Sequence, residues 1–130
     1  MAPPKPTQAQ VRQLTAQASQ LMRAGRLDEA ATTAERGLSG DPTNVTLLLL
    51  RGAALTRAGK PERALAAIER AIGLEPGRHQ ALLELGWAQQ AMNRLDEAGE
   101  WFGRALAMAP GSGDGLEAVA NHKRMRGDNE

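Results

Sequence analysis

The sequence predicts an all-α chain, an α-solenoid of antiparallel helix pairs with about seven helices in all. Three observations predict it. The pentapeptide RLDEA occurs at 26–30 and again at 94–98, and midway between them KPERA at 60–64 keeps the same order of basic, apolar or proline, acidic, charged and alanine residues. Pro42, Pro76 and Pro110 recur at a 34-residue interval, each just after an Ala- and Leu-rich stretch that a helix cannot carry further. Gly25, Gly59 and Asn93 share the interval, and glycine, then asparagine, best tolerates the left-handed conformation that closes a helix. A period of this size marks a repeat architecture in which no unit buries its apolar face alone.

Taken in order, the opening MAPPKPTQAQ, residues 1–10, is rich in proline without an apolar run, and is expected to be a flexible tail with no signal peptide. Three units follow at 11–44, 45–78 and 79–112. In each, a first helix ends at Gly25, Gly59 or Asn93 and a second begins with a cation, then Leu27, Pro61 or Leu95, then Asp28, Glu62 or Asp96. Acidic groups in a first turn complement the helix dipole, and proline suits a first-turn position whose N–H has no partner. RLDEA is therefore the start signal of a second helix, and its alanine, repeated as Ala30, Ala64 and Ala98, is small so that the paired helices approach closely. Ala18, Gly52 and Gly86 supply the matching small positions on the first helices, while Leu14, Leu48 and Leu82, then Ile68 and Phe102, supply bulk. Gly37 stands where the later units have Ala71 and Ala105, and propensity alone predicts that it weakens its helix by roughly 0.5–1 kcal/mol. After residue 112 a lone helix is expected over 113–126, capped by Asp114, with Leu116, Val119 and Ala120 as its apolar stripe; it closes the stack, and 127–130 is a tail.

Residues 79–112 resemble the tetratricopeptide repeat, with Leu82, Leu85, Gly86, Ala98, Phe102 and Pro110 at that family's spacings, and the two preceding units follow suit. The resemblance implies a right-handed superhelix with a concave groove lined by the first helices. It departs from the family at Leu21, Leu55 and Gln89, where an aromatic is usual, and at Gln17 and Arg51, where a leucine is usual.

Composition excludes several functions. With no cysteine, there are no disulfides, thiolate metal sites or cysteine nucleophiles. A formal net charge of +1 gives no pull toward polyanions, and the basic HKRMR cluster, residues 122–126, has no interleaved aromatics, so nucleic acid is not expected as a partner. The apolar run LLLL at 47–50 is too short to cross a membrane. The paired carboxylates Asp28/Glu29 and Asp96/Glu97 occupy helix-start positions in different units, and His79 and His122 lack a second ligand at helical spacing. PGSGDG, residues 110–115, lacks the Lys-Ser/Thr ending of a phosphate loop. No catalytic residues, metal or cofactor are expected, and the cytoplasm is the expected location.

Function is then expected from a surface. The groove-facing positions that the resemblance implies are Arg12, Thr15, Ser19 and Met22 in the first unit, and Thr46, Leu49, Ala53 and Thr56, with Arg57 beside them, in the second. In the third they are Gln80, Leu83, Trp87 and Gln90, and in the closing helix Asp114, Glu117, Asn121 and Arg124. Leu49, Leu83 and Trp87 look surplus to packing, and an exposed apolar patch containing a tryptophan marks a binding site; the competing reading is that they pad neighbouring helices. Arg12, Arg23 and Arg57 at one end and Glu84, Asp114 and Glu117 at the other predict an electrically polarised groove. The expected partner is a protein or peptide, extended or helical, with an apolar anchor near Trp87 and acidic groups toward Arg12 and Arg57. Capture of a chaperone's C-terminal carboxylate, which some family members perform with basic groove residues, is not expected, because Thr15, Ser19, Leu50, Gln80 and Glu84 stand at those positions. Two alternatives are an interaction arm of a larger bacterial enzyme, such as a transferase, and a self-associating scaffold that forms homo-oligomers.

Overall fold

The computed structural model describes residues 4–127, and all regular structure among them is helical. Seven helices follow one another: α1 (Gln8–Arg23), α2 (Leu27–Gly40), α3 (Val45–Arg57), α4 (Pro61–Leu74), α5 (His79–Ala91), α6 (Leu95–Met108) and α7 (Gly113–Gly127). The pairs α1/α2, α3/α4 and α5/α6 form hairpins; α2 packs on α3, α4 on α5 and α6 on α7, while α1 touches α3 and α3 touches α5. The first helices therefore line up as neighbours along one side of the stack.

Each hairpin reverses through the same backbone device. Gly25, Gly59 and Asn93 have φ of 75°, 83° and 62°. This lets the next residue reach back: the N–H groups of Arg26, Lys60 and Arg94 donate to the carbonyls of Leu21, Leu55 and Gln89 at 2.8–2.9 Å, and those of Gly25, Gly59 and Asn93 donate to Met22, Thr56 and Gln90. Both bonds together satisfy carbonyls that the helix end would orphan, and they require the left-handed residue. The cations that follow make no side-chain cap; two of the acids they precede instead tie units together. Lys60 Nζ lies 2.9 Å from Asp28 Oδ1, and Arg126 pairs with Asp96. Such exposed pairs contribute at most about 1 kcal/mol each, so they set register more than stability.

The hairpins close because one helix leaves space that the other fills. Ala30, Ala64 and Ala98 are buried. A Cβ added at Gly52 would lie 2.6 Å from Ile68 Cγ1, and one at Gly86 would lie 2.3 Å from Phe102 Cε1. In the first unit the same two positions are held by Ala18 and Ala34, which share one buried cluster with Val11 and Leu47. Glycine against a large side chain in two units, and alanine against alanine in the other, all leave the paired helices room to cross closely.

Four expectations are corrected. Regular structure begins inside the span expected to be a tail: Thr7 caps α1 in a reciprocal capping box with Gln10, and Pro6 sits so close to α2 that a Cβ on Gly40 would meet its carbonyl oxygen at 2.6 Å. Residues 1–3 and 128–130 of the expected tails lie outside the described residues, and Gly127 ends α7. Gly37 is not simply a weak helix residue, because a Cβ there would meet Leu47 Cδ1 at 2.8 Å; the room it leaves is taken by a fully buried leucine from the next unit. The closing helix starts at Gly113 and its cap is Ser112, whose Oγ accepts from the Gly115 N–H at 3.1 Å, so Asp114 stands in the first turn. Its contact face also differs from the expected stripe. Gly115 and Ala118 are buried, Val119 packs against the core and His122 Nε2 lies 2.7 Å from the Leu95 carbonyl oxygen, whereas Leu116 is 52% exposed and Ala120 is exposed. Leu116 and Ala120 occupy the positions that Leu82 and Gly86 use to meet their hairpin partner, and α7 has no such partner among the described residues.

Two measurements follow from the crossing. Ala64→Leu and Ala98→Leu should each lower the unfolding free energy by about 1–3 kcal/mol, read from urea midpoints, whereas Ala91→Leu on the exposed end of α5 should cost much less. Gly86→Ala should also destabilise, although alanine favours a helix over glycine by about 1 kcal/mol, because Phe102 already fills the space; a stabilised Gly86→Ala protein would refute this packing.

Candidate functional site

Lined up in register, α3, α5 and α7 enclose a cavity of about 640 Å³. Ala53, one helical repeat before Trp87, leaves a recess where a tryptophan could have stood. Leu83 and Trp87 supply the apolar side, with Trp87 held edge-on to Phe102 at 5.0 Å between ring centroids and 61° between planes. Thr56, Arg57, Gln80 and Gln90 bring polar groups from α3 and α5, and α7 contributes Asp114, Glu117 and Met125.

Among the groove positions expected from sequence, Ala53, Arg57, Gln80, Leu83, Trp87 and Gln90 come together around this cavity. Arg12, Thr15, Ser19, Thr46 and Leu49 do not line it. Thr15 Oγ1 donates to the Val11 carbonyl at 2.8 Å, and Thr46 Oγ1 accepts from Arg78 Nη2 at 3.4 Å. The expected exposed patch is corrected: Leu49 is 8% and Leu83 4% exposed, and Trp87 is half-buried. The padding reading holds for the two leucines, because a first helix inside the stack meets the first helices on either side as well as its hairpin partner and the preceding second helix. Leu83 nevertheless forms part of the cavity wall, and Trp87, only half-buried, lines it too. Ala91 and Met125 were not among the expected residues; they stand one repeat and two repeats after Arg57, which is the signal that would have found them.

The electrostatics centre on Glu84. Its repeat counterparts are Leu50 and the buried Ala118, so it is a carboxyl at a position the fold otherwise fills with apolar side chains. Desolvation pushes its pKa up from 4.5 to about 7; Arg57 opposes the rise and Asp114 adds to it. Nearby, Thr56 Oγ1 and Gln90 Oε1 are buried without a hydrogen-bond partner, an arrangement that costs about 1–3 kcal/mol per group when left unmet. The expected polarity along the groove thus becomes a local one, with Arg57 and three carboxyl groups around one cavity. Among the described residues no cluster of three potential metal ligands occurs, and no helix is long and apolar enough to cross a membrane.

Helix hairpins of equal length, stacked with their first helices along a groove, define an α-helical repeat protein. The chain belongs to the tetratricopeptide repeat (TPR) family, whose model matches residues 15–77 and 49–113. The fold is similar to that of the first TPR domain of the human RPAP3 protein, with a TM-score of 0.82 at 23% identity over 91% of this chain and 93% of that one. The first TPR of Spaghetti (RPAP3), solved with the HSP90 peptide SRMEEVD, gives 0.81 at 22% identity over 95% and 98% of the two chains. The Sgt2 TPR domain from Aspergillus fumigatus gives 0.83 at 23% identity over 95% and 83%. No curated protein matches at a significant level.

A carboxyl whose folded-state pKa is raised holds its proton in the native state when the unfolded chain has already lost it. Its stabilising contribution is fully present below about pH 4.5 and gone above about pH 7. The wild-type protein should therefore lose on the order of 1–3 kcal/mol across that window relative to Glu84→Gln. Parallel urea titrations of the two proteins at several pH values check this; superimposable pH profiles would show that Glu84 ionises as freely as an exposed side chain.

Proposed function

We propose that this protein is a non-catalytic interaction module that binds a peptide or protein segment in the groove lined by α3, α5 and α7. The observation that carries the reading is the cavity itself. It combines an apolar wall, Leu83 and the half-buried Trp87, with buried polar atoms on Thr56 and Gln90 that have no partner. Pockets of this size with an apolar surface and a few placed polar groups are where ligands bind, and a tryptophan held rigid by its packing is the side chain best suited to anchor one. The peptide found on the Spaghetti domain supports the same use of the fold. Its acidic sequence does not suit this groove, where Glu84, Asp114 and Glu117 would repel it. Catalysis has no support in the site, whose carboxyl groups are joined by no nucleophile or base in mutual hydrogen-bond contact.

The test uses random-peptide phage display on the full chain, followed by titration of the recovered peptides. Trp87→Ala should weaken them by about tenfold or more, as should Ala91→Trp, which fills the mouth of the cavity from an exposed position. Circular dichroism confirms that both variants fold. Peptides that bind both variants as well as wild type would place the binding surface elsewhere.

A further inference from the structure

The occupant of the groove has a chemistry that its walls specify. We propose that the partner is a peptide segment carrying a lysine or arginine next to a large apolar residue, the cation seated among Glu84, Asp114 and Glu117 and the apolar side chain against Trp87. This inference rests on the groove reading above and adds the charge of the ligand to it.

Charge complementarity is the first ground. Three carboxyl groups and one guanidinium face the cavity, and the cap supplies two of those acids from exposed positions, Asp114 and Glu117. Neither makes an ion pair with a described residue; the four ion pairs among the described residues lie elsewhere, on Arg26, Lys60, Arg78 and Arg126. Four acids elsewhere on the solenoid, Asp28, Glu29, Glu75 and Asp96, do have a cation within ion-pair distance. Asp114 and Glu117 instead face the cavity.

Hydrogen-bonding capacity is the second, independent ground. Gln90 Oε1 can only accept, and it is buried and unmet beside the same cavity. Thr56 Oγ1 is unmet too. The Gln90 oxygen therefore lacks a donor, and an ammonium or guanidinium brings several on a single side chain. Its aliphatic stem would lie along Leu83 and Trp87, and a cation over a tryptophan face gains a further attraction. Glu84, whose burial raises its pKa to about 7, would ionise more fully as the ligand's cation arrives.

Phage-displayed random peptides selected on the full chain, with the best sequence then made synthetically, provide the probe. The expected result is enrichment of Lys or Arg beside Leu, Ile, Phe or Trp. The synthetic peptide should bind about tenfold more weakly to the Asp114→Asn, Glu117→Gln double variant, and more weakly with rising salt. Replacing its basic residue with Glu should abolish binding to wild type and restore it to Glu117→Lys. Both altered positions are exposed on α7, so folding is not at stake. Recovery of acidic or uncharged peptides that ignore these variants yet still fail on Trp87→Ala would overturn the cation and leave the groove reading intact. Peptides insensitive to Trp87→Ala and Ala91→Trp alike would overturn both. Sedimentation that shows self-association abolished by the Asp114→Asn, Glu117→Gln variant would make a second copy the occupant, and that too overturns the proposal.

Discussion

Everything in this structure depends on close crossing within each hairpin, which small residues permit; in the second and third hairpins the side chain of one helix occupies the volume that a Cβ would take on the other. At Gly52 and Gly86 the intrusion is by Ile68 and Phe102, which come closer to that Cβ position than two non-bonded carbons can approach. Because the crossing admits no slack, the two helices have one register, and residues a full repeat apart point the same way. The register passes between units by a second exchange of volume. Gly37 faces Leu47; one repeat later the same positions hold Ala71 and Ala81, both fully buried in one cluster. Bulk removed from one helix reappears on its neighbour, so interior density is kept while individual residues vary.

Much of this was legible because repetition converts a weak local signal into a strong one. A single glycine near a helix end says little, but Gly25, Gly59 and Asn93 at one interval identify the left-handed residue of three reversals, and all three have positive φ. The small positions and the start signals were readable for the same reason. What failed were inferences drawn from one helix considered alone. Leu49 and Leu83 lie off the stripe that faces the hairpin partner, and a single helical wheel puts them in water. In the stack, α3 and α5 meet helices on several sides, and both leucines are buried. The run LLLL at 47–50 already hinted at this, since a helix apolar nearly all round is a buried one. Gly37 was misjudged in the same way, by helix propensity without the neighbour that fills its space.

Glu84 could be named from sequence as an acid in the groove, but not as a carboxyl deprived of water. Its burial arises from α5 lying between other helices, and its raised pKa from that burial together with Asp114. Neither fact exists until the units are stacked. The unmet oxygens of Thr56 and Gln90 are of the same kind. Both belong to side chains that look ordinary on a helical wheel, and each lost its water only when a neighbouring unit closed over it.

The sign of the groove is in turn a consequence of how α7 is covered among the described residues. Along the first helices, one set of equivalent positions holds Thr46, Gln80 and Asp114, and another holds Leu49, Leu83 and Glu117. Within the stack the second set is apolar at Leu49 and Leu83, or internally hydrogen-bonded, as Thr15 is to the Val11 carbonyl. On α7 no following helix is present among the described residues, so the same position is exposed and a carboxylate there keeps its hydration. The closing helix is thus free to carry an acid, Glu117, at a site that is buried and apolar in α3 and α5, and the shared register turns it, with Asp114, toward the cavity that Ala53 and Trp87 shape. The electrostatics of the groove thus follow from burial: α7, over which no further described helix packs, is the helix that holds the groove's exposed acids.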